Sequence, residues 1–206
     1  AHPCSVFTAH DDTTVLIGNN EDYYGAEDTL IWFVPPEDDA YGYVSWGFAD
    51  NHFSQGGMND QGLFYDGLAT PALPVEDWPG TETFTLMTLE EVLAGSATVD
   101  EALPMLEAVD IGPVLETAQL IFADRFGDSA ILEGDTIVRP DEDWQIALNF
   151  YWSDPDLGYY PDWRLPILLE RMTDGLEMTV EYFTETADAV HQGTDPTAPG
   201  VFTRYT

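Results

Sequence analysis

Residues 4–25, CSVFTAHDDTTVLIGNNEDYYG, contain two runs, SVFTA (5–9) and TTVLIGN (13–19), that are rich in β-branched and aromatic residues. A short polar turn separates them, which is the pattern of neighbouring strands. The same pattern recurs outward along the first half of the chain in TLIWFV (29–34), YGYVSWGF (41–48) and GLFYDGLA (62–69). From Thr83 to Asp110 the apolar period changes from two to three and four. TFTLMTLEEVLAG (83–95) reads as a helix ending at Gly95, and TVDEALPMLEAV (98–109) as a helix capped by Thr98 or Asp100 that Pro104 should kink or shorten.

Strand character returns in AQLIFADRFGDSAILEGDTIVRP (118–140), two apolar runs joined by a hairpin turn, and in QIALNFYW (145–152). An acidic and aromatic loop, SDPDLGYYPD (153–162), precedes helices expected at about 163–172 and 179–191, and GVFTRYT (200–206) reads as the start of a strand. The order strands, two helices, strands, two helices, strand indicates an α+β fold, two layered antiparallel sheets with helices on the outer faces. No repeat, low-complexity segment or linker divides the 206 residues, so we read a single domain over 1–206, one that stops early at its C-terminal end.

Charge excludes several function classes. There are 39 Asp and Glu against five Lys and Arg, a formal net charge of −34, yet six Trp, ten Tyr and eleven Phe supply apolar area for a core. Phosphate backbones are repelled by such a surface, so nucleic acid is not an expected partner. Self-repulsion on this scale is tolerated when the Debye length falls to about 3 Å near 1 M salt, and we read the surface as halophilic. The acidic runs PEDDAYG, RPDEDW and SDPDLG lack the spaced ligands of a calcium loop. The four histidines have no paired spacing and there is one cysteine, so neither a metal, a cofactor nor an internal disulfide is expected. No apolar run is long enough to span a membrane. The chain begins without Met, and Ala1-His2-Pro3 is too short for a targeting signal, which fits a processed and exported product without fixing its location.

Three stretches carry candidate chemistry. VLIGNNEDYYG (15–25) delivers Asn19, Asn20, Glu21 and Asp22 together at a strand end, where a polar turn is the plain reading and a carboxylate beside a nucleophile the functional one. In SQGGMNDQGLFYDGLA (54–69), which alone reads as a hairpin turn, paired glycines permit close backbone approach and the Asn59 amide can donate to an oxyanion. Asn149 lies within an apolar run, so it either pairs with backbone or faces a site. The lone thiol, Cys4, is either a small buried hydrophobe or a nucleophile at the head of a strand.

In series, Cys4, GNNED (18–22), GGMNDQGL (56–63), FADRFGDSAILEG (122–134), LNFYW (148–152) and PDWRLPILLERM (161–172) resemble the N-terminal nucleophile hydrolases of the choloylglycine hydrolase and penicillin V acylase type. The wider relatives are linear amide C–N hydrolases and isopenicillin N acyltransferase-like proteins. The resemblance implies a four-layer αββα sandwich and a self-processed enzyme acting on a small-molecule acyl amide through an acyl thioester. It places the nucleophile on Cys4, the carboxylate that holds its α-amine on Asp22, the oxyanion asparagine on Asn59, a second substrate-side asparagine on Asn149, and an arginine that favours thiolate on Arg164. The α-amine of a first-residue cysteine, with a pKa of about 7.7–8.0, serves as base in this scheme.

Asn19 stands where bile-salt hydrolases carry an arginine, and Cys4 is not residue 1, so the scheme requires processing before Cys4. Asn19, Tyr23, Tyr24 and Phe64 are the expected substrate-binding residues, with Trp32 near them, and they favour an apolar or aromatic acyl group. A homo-oligomer is compatible with all of this. An acyltransferase on the same scaffold and a non-catalytic β-rich protein that stacks ligands on SDPDLGYYPDW (153–163) are the alternatives.

Overall fold

The computed structural model describes residues 4–24, 28–50, 52–76, 78–158, 160–193 and 201–205, with Tyr24 and 201–205 described in backbone only. Ala1-His2-Pro3, the side chain of Tyr24, Tyr159 and Thr206 lie outside the described residues. The elements in chain order are β1 (Ser5–His10), β2 (Val15–Tyr24), β3 (Thr29–Val34), β4 (Tyr43–Phe48), β5 (Ser54–Asn59), β6 (Phe64–Ala69), β7 (Glu82–Thr83), α1 (Thr88–Gly95), α2 (Val99–Ala108), β8 (Val109–Asp110), α3 (Gly112–Leu115), β9 (Ala118–Ala123), β10 (Ser129–Glu133), β11 (Thr136–Val138), β12 (Trp144–Ala147), α4 (Arg164–Thr173), α5 (Val180–Ala189) and β13 (Val201–Tyr205).

Two antiparallel sheets dominate, one of four strands in the order β12-β1-β2-β13 and one of seven in the order β11-β10-β9-β6-β5-β4-β3. Strand alternation sorts their side chains into three apolar layers. Phe7 and Ala9 of β1 pack with Leu165, Leu168, Phe183 and Val190, which places α4 and α5 on one outer face. Leu63, Tyr65 and Phe122 pack with Leu89, Leu93, Val99 and Leu106, which places α1 and α2 on the other. Between the sheets lie Cys4, Val6, Phe64, Leu68, Ile121 and Ala147. The result is an αββα sandwich, as the element order implied.

SQGGMNDQGLFYDGLA forms a hairpin as expected, with SQGGMN as its first strand, β5, whose glycines lie against neighbouring layers. A Cβ on Gly56 would stand 2.2 Å from Asp66 Oδ2, and one on Gly57 2.7 Å from Leu93. One local expectation is corrected, since Pro104 lies inside an unbroken α2, which Thr98 caps by accepting from the Glu101 amide. The proline is exposed there, so the Asp100 carbonyl that loses its amide partner is open to water.

Candidate active site

Cys4 precedes β1 and is buried, and the β1–β2 register, Ser5 opposite Asn20 and Val6 opposite Asn19, carries its thiol towards the carboxylate end of β2. The Sγ donates to Glu21 Oε2 at 3.8 Å and to the Asp22 carbonyl at 3.6 Å. Parity explains which carboxylate meets the thiol. Leu16, Gly18 and Asn20 of β2 face the helices, as shown by the Phe7 ring against Gly18 and the Asn20 bond to the Ala187 carbonyl, so Asp22 falls with them while Asn19 and Glu21 turn inward. Asp22 is buried and contributes its carbonyl and a weaker electrostatic influence, and Glu21 is the carboxylate against the thiol.

Asp66, on β6, lies behind Glu21 and is fully buried. Its Oδ2 accepts from Asn19 Nδ2 at 2.8 Å and from Trp46 Nε1 at 3.0 Å, and Asn19 Nδ2 also reaches Glu21 Oε1 at 3.3 Å. Burial, and then the Glu21 carboxylate beside it, push the Asp66 carboxyl well above the usual range. Burial also pushes the Cys4 thiol well up, with the charge of Glu21 adding to the effect and those of Asp66 and Asp22 contributing less. Burial and the neighbouring carboxylates thus favour the protonated form of the thiol.

The backbone side of Cys4 has the opposite character. Arg164 opens α4 with its side chain 1% exposed, and its Nη1 donates to the Cys4 carbonyl at 2.6 Å and its Nη2 to Asn149 Oδ1 at 2.9 Å. Asp162 grips the same guanidinium, Nε to Oδ1 at 2.9 Å and Nη2 to Oδ2 at 2.5 Å. Arg164 is thus neutralised by Asp162 and aimed at the Cys4 carbonyl, so it positions the strand head. Asn149 follows β12 instead of lying within it, and its Nδ2 donates to the Ala69 carbonyl at 2.7 Å.

The oxyanion role expected of Asn59 is corrected. On β5 it shares parity with Gly57, whose Cβ position meets Leu93 of α1, so its side chain faces the helices and not the space between the sheets. Its Nδ2 donates to the carbonyls of Leu93 and Ser96, and its Oδ1 accepts from the amides of Gln61 and Leu63. The first two bonds tie the β5–β6 turn to the end of α1, and the other two hold the turn itself.

A groove of about 740 Å³ runs along β2 between the two sheets, lined by Ile17, Ile31, Val44, Trp46, Met58 and Phe64 with Asn19. Asn19 and Trp46 donate to Asp66, so behind them lie Asp66, Glu21 and then the Cys4 thiol. The Asn19 Oδ1 is buried without a hydrogen-bond partner. Of the expected substrate-binding residues, Asn19 and Phe64 line the groove. Tyr23 instead packs its ring on Phe48 at 4.8 Å, and Trp32 donates from its indole to Glu90 on the helix side. Glu21, Asp66, Trp46 and Asp162 are site residues that reading the sequence did not assign. Among the described residues, no cluster of side chains is suited to hold a metal ion, and no helix is long and apolar enough to cross a membrane.

The sequence matches no protein-family model and no curated protein. Solved structures do match. Two structures of a variant conjugated bile acid hydrolase from Clostridium perfringens superpose with TM-scores of 0.55 and 0.56 at 21% and 18% identity, covering 81% and 98% of this chain and 57% and 64% of theirs. An N-acylethanolamine-hydrolyzing acid amidase ortholog from Caenorhabditis elegans superposes with a TM-score of 0.61 at 11% identity, covering 91% of this chain and 86% of that one. This chain therefore spans less than two thirds of the bile acid hydrolase and shares its αββα fold with all three structures.

Proposed function

We propose that the protein hydrolyses a linear, non-peptide amide with an apolar acyl group, Cys4 attacking the carbonyl to form an acyl thioester that water then cleaves. A fold of this kind hosts many chemistries, so the reading rests on the site. The observation that carries it is the placement of the one cysteine. Its thiol lies between the sheets, its carbonyl is clamped by Arg164, and an apolar groove ends just beyond its carboxylate neighbours. The structural neighbours whose names describe the cleavage of acyl amides support the reading.

Among the described residues the resting thiol has three acidic neighbours, while Arg164 bonds Asp162 and the Cys4 carbonyl. Cleavage before Cys4 supplies the missing charge as a free α-amine, with Asp22 as the carboxylate to hold it. We assign the oxyanion contact to Asn149 Nδ2, moving from the Ala69 carbonyl, and the substrate N–H to the unpartnered Asn19 Oδ1. The acidic surface implies that the enzyme works in concentrated salt.

The test is a panel of chromogenic acyl amides assayed in molar salt, with N-terminal sequencing of the active material. Active protein should begin at Cys4, lose hydrolysis on iodoacetamide labelling, and become inactive as Cys4→Ala. Full activity in that variant, or in chains that still begin at Ala1, refutes the reading. An added amine acceptor in the same assay separates hydrolysis from acyl transfer.

A further inference from the structure

The buried carboxyls of Glu21 and Asp66 have no use in the scheme above, and the resemblance assigns them none. They are too deep to be surface charge, and they sit between the groove and the thiol. The Asn19 amide bridges them, donating to both, and Trp46 donates to Asp66 from the other side. Asp66 Oδ1 is sealed from solvent and receives no donor, as suits an oxygen that carries its own proton, with Glu21 close enough to share it. Room for this carboxyl is made by Gly56, since any Cβ there would strike Asp66 Oδ2. Two carboxyls so close repel when both ionise, which favours a proton on the buried Asp66.

That charge state constrains the thiol chemistry. Sending the Cys4 proton to solvent would set a thiolate beside these carboxyls, in a site whose charged neighbours among the described residues are Glu21 and Asp22 of β2 and Asp66 of β6, with the Arg164–Asp162 pair on the carbonyl side. Passing the proton to Glu21 leaves the net charge of the site unchanged and only moves it a few ångströms, to sulfur. We propose that Glu21 exchanges a proton with Cys4 and the substrate during the reaction, and that Asp66 is the positioning residue that keeps one proton between the two carboxyls.

The steps balance. The thiol S–H proton moves to Glu21 Oε2 as the C–S bond forms and the carbonyl electrons move onto oxygen. Collapse of that intermediate breaks the C–N bond, and the departing nitrogen takes the proton from Glu21. In deacylation water gives a proton to Glu21 as its oxygen adds to the thioester, and the proton returns to sulfur as the C–S bond breaks.

The proposal rests on Cys4 being the nucleophile, and its test has arms that need no substrate. In E21Q, iodoacetamide should label Cys4 at least as fast as in the wild type, because a repelling carboxylate is gone. Meanwhile kcat on an acyl nitroanilide that the wild type cleaves should fall about 10²–10⁴-fold with little change in KM. A retained kcat would leave the proton to the α-amine and overturn the proposal, and so would labelling and kcat falling together. D66N, whose amide mimics the protonated carboxyl but cannot lose its proton, should change the pH dependence of iodoacetamide labelling at Cys4 on the alkaline side relative to the wild type. A D66N labelling profile that coincides with the wild-type one counts against it. The wild type alone should show the infrared C=O stretch of a protonated carboxyl at neutral pH, missing from D66N, and its absence from the wild type overturns the pair. If no amide is cleaved by any form, the hydrolase reading fails on its own, while the labelling rates and the infrared band still decide whether the pair shares a proton beside Cys4.

Discussion

Replacing Arg164 with Met removes at least four hydrogen bonds from one buried point while keeping most of the aliphatic volume. The guanidinium makes two bonds to Asp162, one to Asn149 Oδ1 and one to the Cys4 carbonyl, and the arginine and aspartate side chains are only 1% and 8% exposed. Breaking a buried pair from one side leaves the other charge uncompensated and costs about 3–5 kcal/mol. The carbonyl acceptors left without a donor cost about 1–3 kcal/mol each when buried, but all belong to one network and do not add, so the pair's own range is the estimate. For a chain of this length about 1 kcal/mol lowers the melting temperature by about 2–4 °C, so R164M should melt about 6–20 °C below the wild type. Thermal unfolding followed by circular dichroism in molar salt measures this directly. R164M/D162N, which also removes the stranded carboxylate, should recover part of the loss. A drop worth less than about 1 kcal/mol is what an exposed pair gives and would refute the buried clamp. So would a double variant no better than the single one.

Asn59→Ala should cost about 1–3 kcal/mol, because it strips partners from the Leu93 and Ser96 carbonyls, yet leave kcat of the folded protein unchanged. A large kcat loss would restore the asparagine to the site. Gly56→Ala should destabilise by about 1–3 kcal/mol through overpacking and cripple hydrolysis by displacing Asp66 or Trp46, and urea unfolding with wild-type stability would contradict the close approach. The raised Asp66 carboxyl makes a stability contribution that is complete below the unfolded value of about 4 and is lost as pH rises through its folded value. Unfolding free energy should therefore decline as pH rises from about 4 to the folded value and level off above it, and D66N should decline less. Parallel curves would disprove it.

The layers were legible because the strands alternate. SVFTA and TLIWFV appear as β1 and β3 almost residue for residue, and the 3.6 period marked α1 and α2 between two groups of strands. What one chain read by itself does not give is parity. Asp22 and Glu21 are adjacent, and which of them meets the thiol depends on the β1–β2 register, fixed by the Phe7 ring lying over Gly18. Asn59 is a strong turn and donor signal in sequence, but one residue of parity sends its amide to α1. The strand character of SQGGMN was hidden because its two glycines record the bulk of neighbours distant in sequence, Asp66 and Leu93, and no preference of their own. Asp66 did leave a signal in GLFYDGLA. It is an acid at the same parity as Phe64 and Leu68, and a carboxylate on an inward strand face needs a reason.

The charges around Cys4 form a gradient along one residue. At its carbonyl stands Arg164, already neutralised by Asp162, so it fixes position without lending charge. At its sulfur stand Glu21 and Asp66, which favour its protonated form. At its nitrogen there is, in the chain as it stands, an amide. A site built this way has one open variable, the charge on that nitrogen, because thiol and carboxyls are sealed together and conserve their own. On the proposed reading, freeing the amine adds a positive charge on that side, which makes the anionic states of the sulfur less costly without loosening the carboxyl pair that would carry its proton. On that reading chemistry at Cys4 is coupled to processing through electrostatics, and molar salt leaves the coupling intact, since it screens the exposed acids far more than charges buried between two sheets.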